Sequence, residues 1–173
     1  MTATFSVLLV LVAVSTVTDL KHRKIPNAWT AAGVVAGLAL GVMQGQLGAA
    51  VLGLVVALAI GLPLFAIGAV GGGDAKLVAA VGALMGPASL FSALLYAGIA
   101  GGVMALLQAV RRGTILPILN RTFGLALWAV SLGNAGTRRG LDTPGAIAIP
   151  YGAAIAVGAL AAWYFPLFAG APS

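Results

Sequence analysis

The chain has 173 residues, of which 61% are hydrophobic and only 7% are charged, and its mean hydropathy is +1.12. A soluble domain carries roughly 25% charged residues, so a soluble fold of this size could not cover its surface. The composition predicts an all-α, polytopic membrane protein, and the continuous apolar runs exclude the alternating strands of a membrane barrel. The absence of cysteine excludes disulfides, thiol catalysis and a cysteine-based zinc site.

The apolar runs predict six transmembrane helices. In chain order they cover about 4–18, 28–43, 49–70, 76–86, 88–110 and 146–165. A helix needs roughly 20 residues to cross the hydrocarbon core. Because the second and fourth runs are shorter, we expect polar segments to dip into the membrane beside them. We expect residues 1–173 to form a single membrane domain.

Charge predicts the orientation of these helices. The chain has nine basic and three acidic residues, a net charge of +6. The basic residues lie after the first, third and fifth runs, whereas the loops around 44–48 and 86–87 carry no charge. This positive-inside pattern places the basic loops in the cytoplasm and both termini outside it. Basic residues confined to such loops are typical of topology signals, so we do not expect nucleic-acid binding.

The segment 111–145 is apolar in its middle but is interrupted by Pro117, Asn120 and Arg121. We interpret it as a cytoplasmic or interfacial segment. The alternative is a seventh membrane helix, which would place the C-terminus inside and break the charge pattern.

The acidic residues are Asp19, at the end of the first run, Asp74, between the third and fourth, and Asp142. An ionisable group at a membrane boundary is costly and is therefore a functional candidate. Asp142 lies in a hydrophilic stretch beside Arg138 and Arg139, so we interpret it as part of a surface ion pair.

Asp19 and Asp74 suit acid–base hydrolysis if the fold brings them together. Two adjacent carboxylates cannot both ionise cheaply, so the pair shares one proton, and each member can then play a different role. The alternatives are structural pairing, of Asp19 with Lys21 or Arg23 and of Asp74 with Lys76, and a proton or cation site in a small transporter or channel.

Three glycines, Gly71, Gly72 and Gly73, precede Asp74. Glycine permits unusual backbone conformations and a close approach of another backbone, so these residues could let an extended substrate strand pass beside Asp74. Otherwise they form a flexible break between helices or a site of close helix packing.

Two stretches resemble signatures of the prepilin peptidases, which are intramembrane aspartic proteases of the GxGD class. TDLKHRKIPN (18–27) is similar to the first signature, and GGGDAKL (71–77) is similar to the second, with Gly71, Gly73 and Asp74 at its fixed positions and Gly72 at the variable one. IPYGAAIAVGAL (149–160) is similar to the last helix of the small tight-adherence type.

The resemblance implies that Asp19 and Asp74 are the catalytic pair of an endopeptidase in the bacterial cytoplasmic membrane. Its substrates would be prepilins and pilin-like proteins, cut at the cytoplasmic face, and the lipid bilayer would be its other partner. No cofactor and no metal are implied, and the single histidine, His22, belongs to no ligand cluster. Bifunctional relatives carry paired CxxC motifs in a cytoplasmic loop. Here that loop is only 22–27 and lacks cysteine, so we expect cleavage without methylation.

The remaining signature residues have supporting roles in this interpretation. Lys76 either holds Asp74 and tunes its charge or anchors the helix at the interface. Ile25, Pro26 and Asn27 shape the start of the second helix, with Pro26 as an early helix residue. We expect Asn27 to hydrogen-bond to the backbone near Asp19.

Overall fold

The structure is a computed structural model, which describes residues 2–22, 24–111 and 151–168. It contains five α-helices: α1 Thr2–His22, α2 Asn27–Met43, α3 Leu47–Ala66, α4 Gly72–Arg111 and α5 Tyr151–Tyr164. The chain divides into two units, one of residues 1–101 with 150–173 and one of residues 102–149. The architecture below, including that of α4, concerns the first unit.

The loop between α1 and α2 is short. Lys21 lies before it, in the last turn of α1, and Pro26 is its last residue. In the last turn of α1 a cation interacts favourably with the negative end of the helix dipole. Pro26 precedes α2 with φ −63° and ψ 133°, and its carbonyl accepts a hydrogen bond from the N–H of Trp29 at 3.2 Å. Pro26 is therefore the N-cap of α2. We expected it to be one of the first residues inside the helix, and it lies one position before the helix begins.

Helix α4 breaks at Gly86, whose φ of 73° and ψ of 174° are not helical. This φ is one that only glycine adopts readily, and Pro87 follows at once. The break lies between the runs predicted as the fourth and fifth membrane helices. It divides α4 into a segment of residues 72–85 and a segment that begins at residue 87.

The contacts of the two α4 segments show that the chain reverses direction at Gly86. In the first segment, Ala75 lies against Gly61 near the end of α3, and the break itself lies near Ala49 at the start of α3. The second segment runs antiparallel to α5, since Gly101 lies beside Tyr151 at the start of that helix.

Small residues allow α2 and α3 to pack closely on the first segment of α4. They repeat every three or four residues and are buried: Thr30, Gly33, Gly37 and Gly41 in α2, and Ala50, Gly53, Ala57 and Gly61 in α3. A Cβ atom at Gly53 would overlap the carbonyl oxygen of Gly82, and one at Gly37 would lie 2.8 Å from the carbonyl carbon of Ala83. This stripe of small residues is a common means of helix association in membranes.

Helices α1 and α5 are antiparallel neighbours. At one end, the ring of Phe5 lies 5.2 Å from that of Trp163. At the other end, which we call the aspartate end, Asp19 contacts Gly152. Gln44, in the turn after α2, donates a hydrogen bond to Thr4 at 2.9 Å and so lies at the end opposite the aspartates.

The outer faces of the helices indicate an integral membrane protein. Within the described residues, three helices are long and apolar enough to cross a membrane, Ala3–His22, Leu47–Ala66 and Gly72–Gln108, and two shorter ones, α2 and α5, are also apolar. Large apolar side chains are exposed on these helices, among them Val35, Val55, Leu62, Phe91, Ile99 and Val157. Six crossings and extracytoplasmic termini stay predictions. The expectations for 111–145 and for Asp142 lie outside the described residues, apart from Arg111, the last residue of α4.

Candidate active site

Asp19 is held at the aspartate end by the close of α1 and the start of α5. It lies in the last turn of α1 and is half-buried. Its Oδ2 accepts a hydrogen bond from the backbone N–H of Gly152 at 3.0 Å. The neighbouring Thr18 donates its hydroxyl back to the carbonyl of Val14 at 2.9 Å. The carboxylate is thus oriented by a helix that follows it by more than a hundred residues.

Asp74 lies in the first turn of α4 and is also half-buried. The carbonyl of Gly71 accepts the N–H of Ala75 at 3.0 Å, which makes Gly71 the residue that begins the helical hydrogen bonding. The Asp74 carboxylate accepts a hydrogen bond from the N–H of Gly71 in return. This reciprocal bond is half of a capping box, and a negative charge in this turn is favoured by the helix dipole.

Both aspartates line one cavity of about 660 Å³. Asp19 is close enough to Asp74 for the two carboxylates to interact electrostatically. The lining comes from the end of α1, the loop before α2 and the start of α4: Thr18, Asp19, His22, Lys24, Ile25, Pro26, Asn27, Gly71, Gly72, Gly73 and Asp74. His22, Lys24 and Asn27 are exposed on this side of the cavity.

Two of the three glycines before Asp74, Gly72 and Gly73, are packed closely against other parts of the chain. None of the three has the positive φ that Gly68, in the preceding turn, adopts at 73°. A Cβ at Gly73 would lie 3.2 Å from the Cβ of Ile25, and one at Gly72 would lie 3.1 Å from the ring of Phe65. These contacts are those of the close-packing alternative, and the chain segment that approaches Gly73 is the loop before α2.

The supporting residues connect the two signatures to each other. Ile25 is buried, and its side chain lies against Gly73. Lys76 donates a hydrogen bond from Nζ to Oδ1 of Asn27 at 2.8 Å. We expected Asn27 to bond to the backbone near Asp19 and considered that Lys76 holds Asp74. Instead, these two polar side chains hold each other, because α2 and α4 begin side by side at the mouth of the cavity.

Sequence reasoning missed Gly152 as a contact of Asp19. The sequence does place this glycine in IPYG, at the start of the stretch that is similar to the last helix of the family. The sequence does not show, however, that the N–H of this glycine contacts Asp19, which lies more than a hundred residues earlier in the chain. Within the described ranges, no group of three or more histidine, aspartate or glutamate side chains is arranged to hold a metal ion.

The apolar helices define a membrane protein with a pair of acidic side chains on one cavity. The model of the type IV leader peptidase family matches residues 6–106, more than half of the chain. The chain therefore belongs to the type IV leader peptidase family, which confirms the resemblance to prepilin peptidases drawn from the two signatures. The match includes Asp19, the loop 24–26 and Asp74. No curated protein and no solved structure matches the sequence significantly.

Proposed function

We propose that the protein is an intramembrane aspartic endopeptidase that removes the leader of type IV prepilins or pilin-like proteins at the cytoplasmic face of the bacterial inner membrane. Membership of the leader peptidase family supports the activity and the class of substrate. The observation that carries the assignment of residues is the cavity that Asp19 and Asp74 share, although they lie on different helices.

The chemistry requires one ionised and one protonated carboxyl group. The ionised aspartate takes a proton from water as the water oxygen adds to the carbonyl carbon of the scissile peptide bond, while the protonated aspartate donates to the carbonyl oxygen. The aspartate that took the water proton then donates it to the amide nitrogen as the C–N bond breaks, and the other aspartate takes back a proton from a hydroxyl of the tetrahedral intermediate, which leaves a carboxylic acid and an amine and restores the pair. Neither a metal nor a covalent intermediate is needed.

The exposed residues at the cavity mouth support cleavage near the aqueous boundary. His22, Lys24 and Asn27 combine access to water with a position at the end of apolar helices. Basic residues concentrate on this loop, as expected of a cytoplasmic face. A substrate with an extended leader and an apolar helix would bring its scissile bond to this boundary while its helix stays in lipid.

The test is co-expression with a prepilin of the same bacterium, followed by mass determination of the mature N-terminus. Asp19→Asn and Asp74→Asn should each reduce the cleavage rate by at least about 10²- to 10⁴-fold, since each removes one partner of the acid–base pair. Both variants should accumulate in the membrane as the unaltered protein does. The measured mass of the mature product of the unaltered protein should correspond to an unmethylated N-terminus.

Asp142→Asn is the matched control, because Asp142 is the chain's remaining acidic residue and has no place in the proposed chemistry. We expect it to retain cleavage. Retained cleavage in Asp19→Asn or Asp74→Asn would refute the assignment of the pair, and a methylated product would refute the restriction to proteolysis.

A further inference from the structure

The start of α5 contacts the candidate active site through one residue, Gly152. Its N–H donates to Oδ2 of Asp19 at 3.0 Å. Gly152 is buried and is the second residue of α5, where a backbone N–H has no acceptor within its own helix. The Asp19 carboxyl group supplies that acceptor.

The space around Gly152 shows why this position has no side chain. A Cβ atom there would lie 2.8 Å from Oδ2, 3.2 Å from Cγ and 3.2 Å from Cβ, and all three atoms belong to Asp19. The close contact is therefore with the aspartate itself and not with the general packing of α5. Any larger residue would push the carboxylate away from its present place in the cavity.

We propose that Gly152 is a positioning residue for catalysis. Its N–H holds the Asp19 carboxylate in the orientation that faces the cavity shared with Asp74, and the absence of a side chain leaves room for the carboxylate in that orientation. This inference rests on the proposed function. It assigns a third part of the chain, remote from both signatures, to the geometry of the active site. Other contacts of α5, such as that of Gly158 with Ala93, hold the helix in place but do not touch either aspartate.

The kinetic test uses Gly152→Ala with cleavage of a prepilin peptide by the purified full-length chain in detergent. A displaced carboxylate should lower kcat by roughly 10- to 100-fold, because small errors in the placement of reacting groups are costly. KM should change by less than about twofold, since apolar contacts of the substrate helix are untouched. Val157→Ala, an exposed position on the same helix, is the control and should keep both parameters.

A second measurement does not depend on activity. In a sample labelled with ¹⁵N-glycine, the amide signal of Gly152 is identified as the one that Gly152→Ala removes. Loss of the carboxylate acceptor in Asp19→Ala should move this signal upfield, and further than Asp74→Asn moves it. The Tm loss caused by Gly152→Ala should also be smaller in the Asp19→Ala background, because the atoms that the new methyl group meets have mostly been removed.

The two measurements separate the two ideas. If the Gly152 signal moves no further in Asp19→Ala than in Asp74→Asn, or if kcat is unchanged in Gly152→Ala, the positioning role is wrong whatever the protein cleaves. If the signal behaves as expected but no prepilin is cut by the unaltered protein, the contact stands and the proposed function is wrong.

Discussion

At the scale of single residues, the site depends on how each polar group is partnered. Asp19 accepts the N–H of Gly152, and Asp74 accepts the N–H of Gly71, so both carboxylates are held by backbone groups that cannot titrate. Lys76 is paired with Asn27 and connects the start of α4 to the start of α2. The two signatures therefore do more than supply the two aspartates. The bond between Lys76 and Asn27 also fixes the distance between α4 and α2, the helices on which these two residues lie.

A double-mutant cycle tests the bond between Lys76 and Asn27. Lys76→Met and Asn27→Ala should each lower Tm modestly. The double variant should be no less stable than the less stable of the two single variants. A hydrogen bond with one charged partner at an exposed site leads us to expect a coupling of about 1 kcal/mol. Lys24→Met, which changes another exposed lysine at the aspartate end, should show no coupling to Asn27→Ala; equal coupling would show that the bond is not specific.

At the scale of helices, the position of Asp74 depends on glycine-mediated contacts between α3 and α4. Gly53 and Gly82 approach so closely that a Cβ atom on either would overlap the carbonyl oxygen of the other. The same contact includes the Cα atom of Gly86, at the break in α4, which lies 2.9 Å from where a Cβ on Gly53 would be. A change here should therefore tilt the first segment of α4, and Asp74 with it.

Two glycine-to-alanine changes on α3 test this contact. Gly53→Ala should destabilise the protein by about 1–3 kcal/mol, because the added methyl group overpacks a rigid backbone contact. Gly48→Ala is the matched control, since no atom lies within 4 Å of its Cβ position. The control should be neutral or slightly stabilising, because alanine favours helix by up to about 1 kcal/mol over glycine. Thermal unfolding in detergent measures both, and equal stability of the two variants would contradict the packing argument.

At the scale of the whole molecule, the described part of the first unit has two dissimilar ends. The aspartate end carries Lys21, Lys24 and Lys76, all exposed, whereas Gln44 and Gly48 lie at the opposite end without charge. Positive charge on one side of an apolar helical protein predicts that side to be cytoplasmic. The orientation matters for the proposed function, because that function requires the leader of a prepilin to reach the candidate site from the cytoplasm.

Cysteine labelling tests this orientation, and the natural absence of cysteine makes every introduced thiol unique. Lys21→Cys at the aspartate end should react with a membrane-impermeant maleimide only after the cells are opened. Gly48→Cys at the opposite end should react in intact spheroplasts. Labelling of Lys21→Cys from outside intact cells would reverse the predicted topology and would place the candidate site on the wrong face.

The helices in the membrane, the two candidate aspartates and the family of this protein follow from its sequence alone. Continuous apolar runs determine helices in a membrane, since backbone groups in lipid must be satisfied within the segment itself. The scarcity of acidic residues drew attention to Asp19 and Asp74, and two separated signatures identified the family that the comparison with known proteins then confirmed. Even the break at Gly86 was visible, because glycine followed by proline ends a regular helix.

Only the tertiary structure decided which groups meet at the site. Local pattern could not reveal that Asn27 pairs with Lys76, that Ile25 fills the space beside Gly73, or that Gly152 binds Asp19. Each of these contacts joins residues on different helices, and small residues set how closely those helices approach. The physical reason is that helix formation is encoded within a few turns of sequence, whereas the register and spacing between helices depend on packing over their whole length.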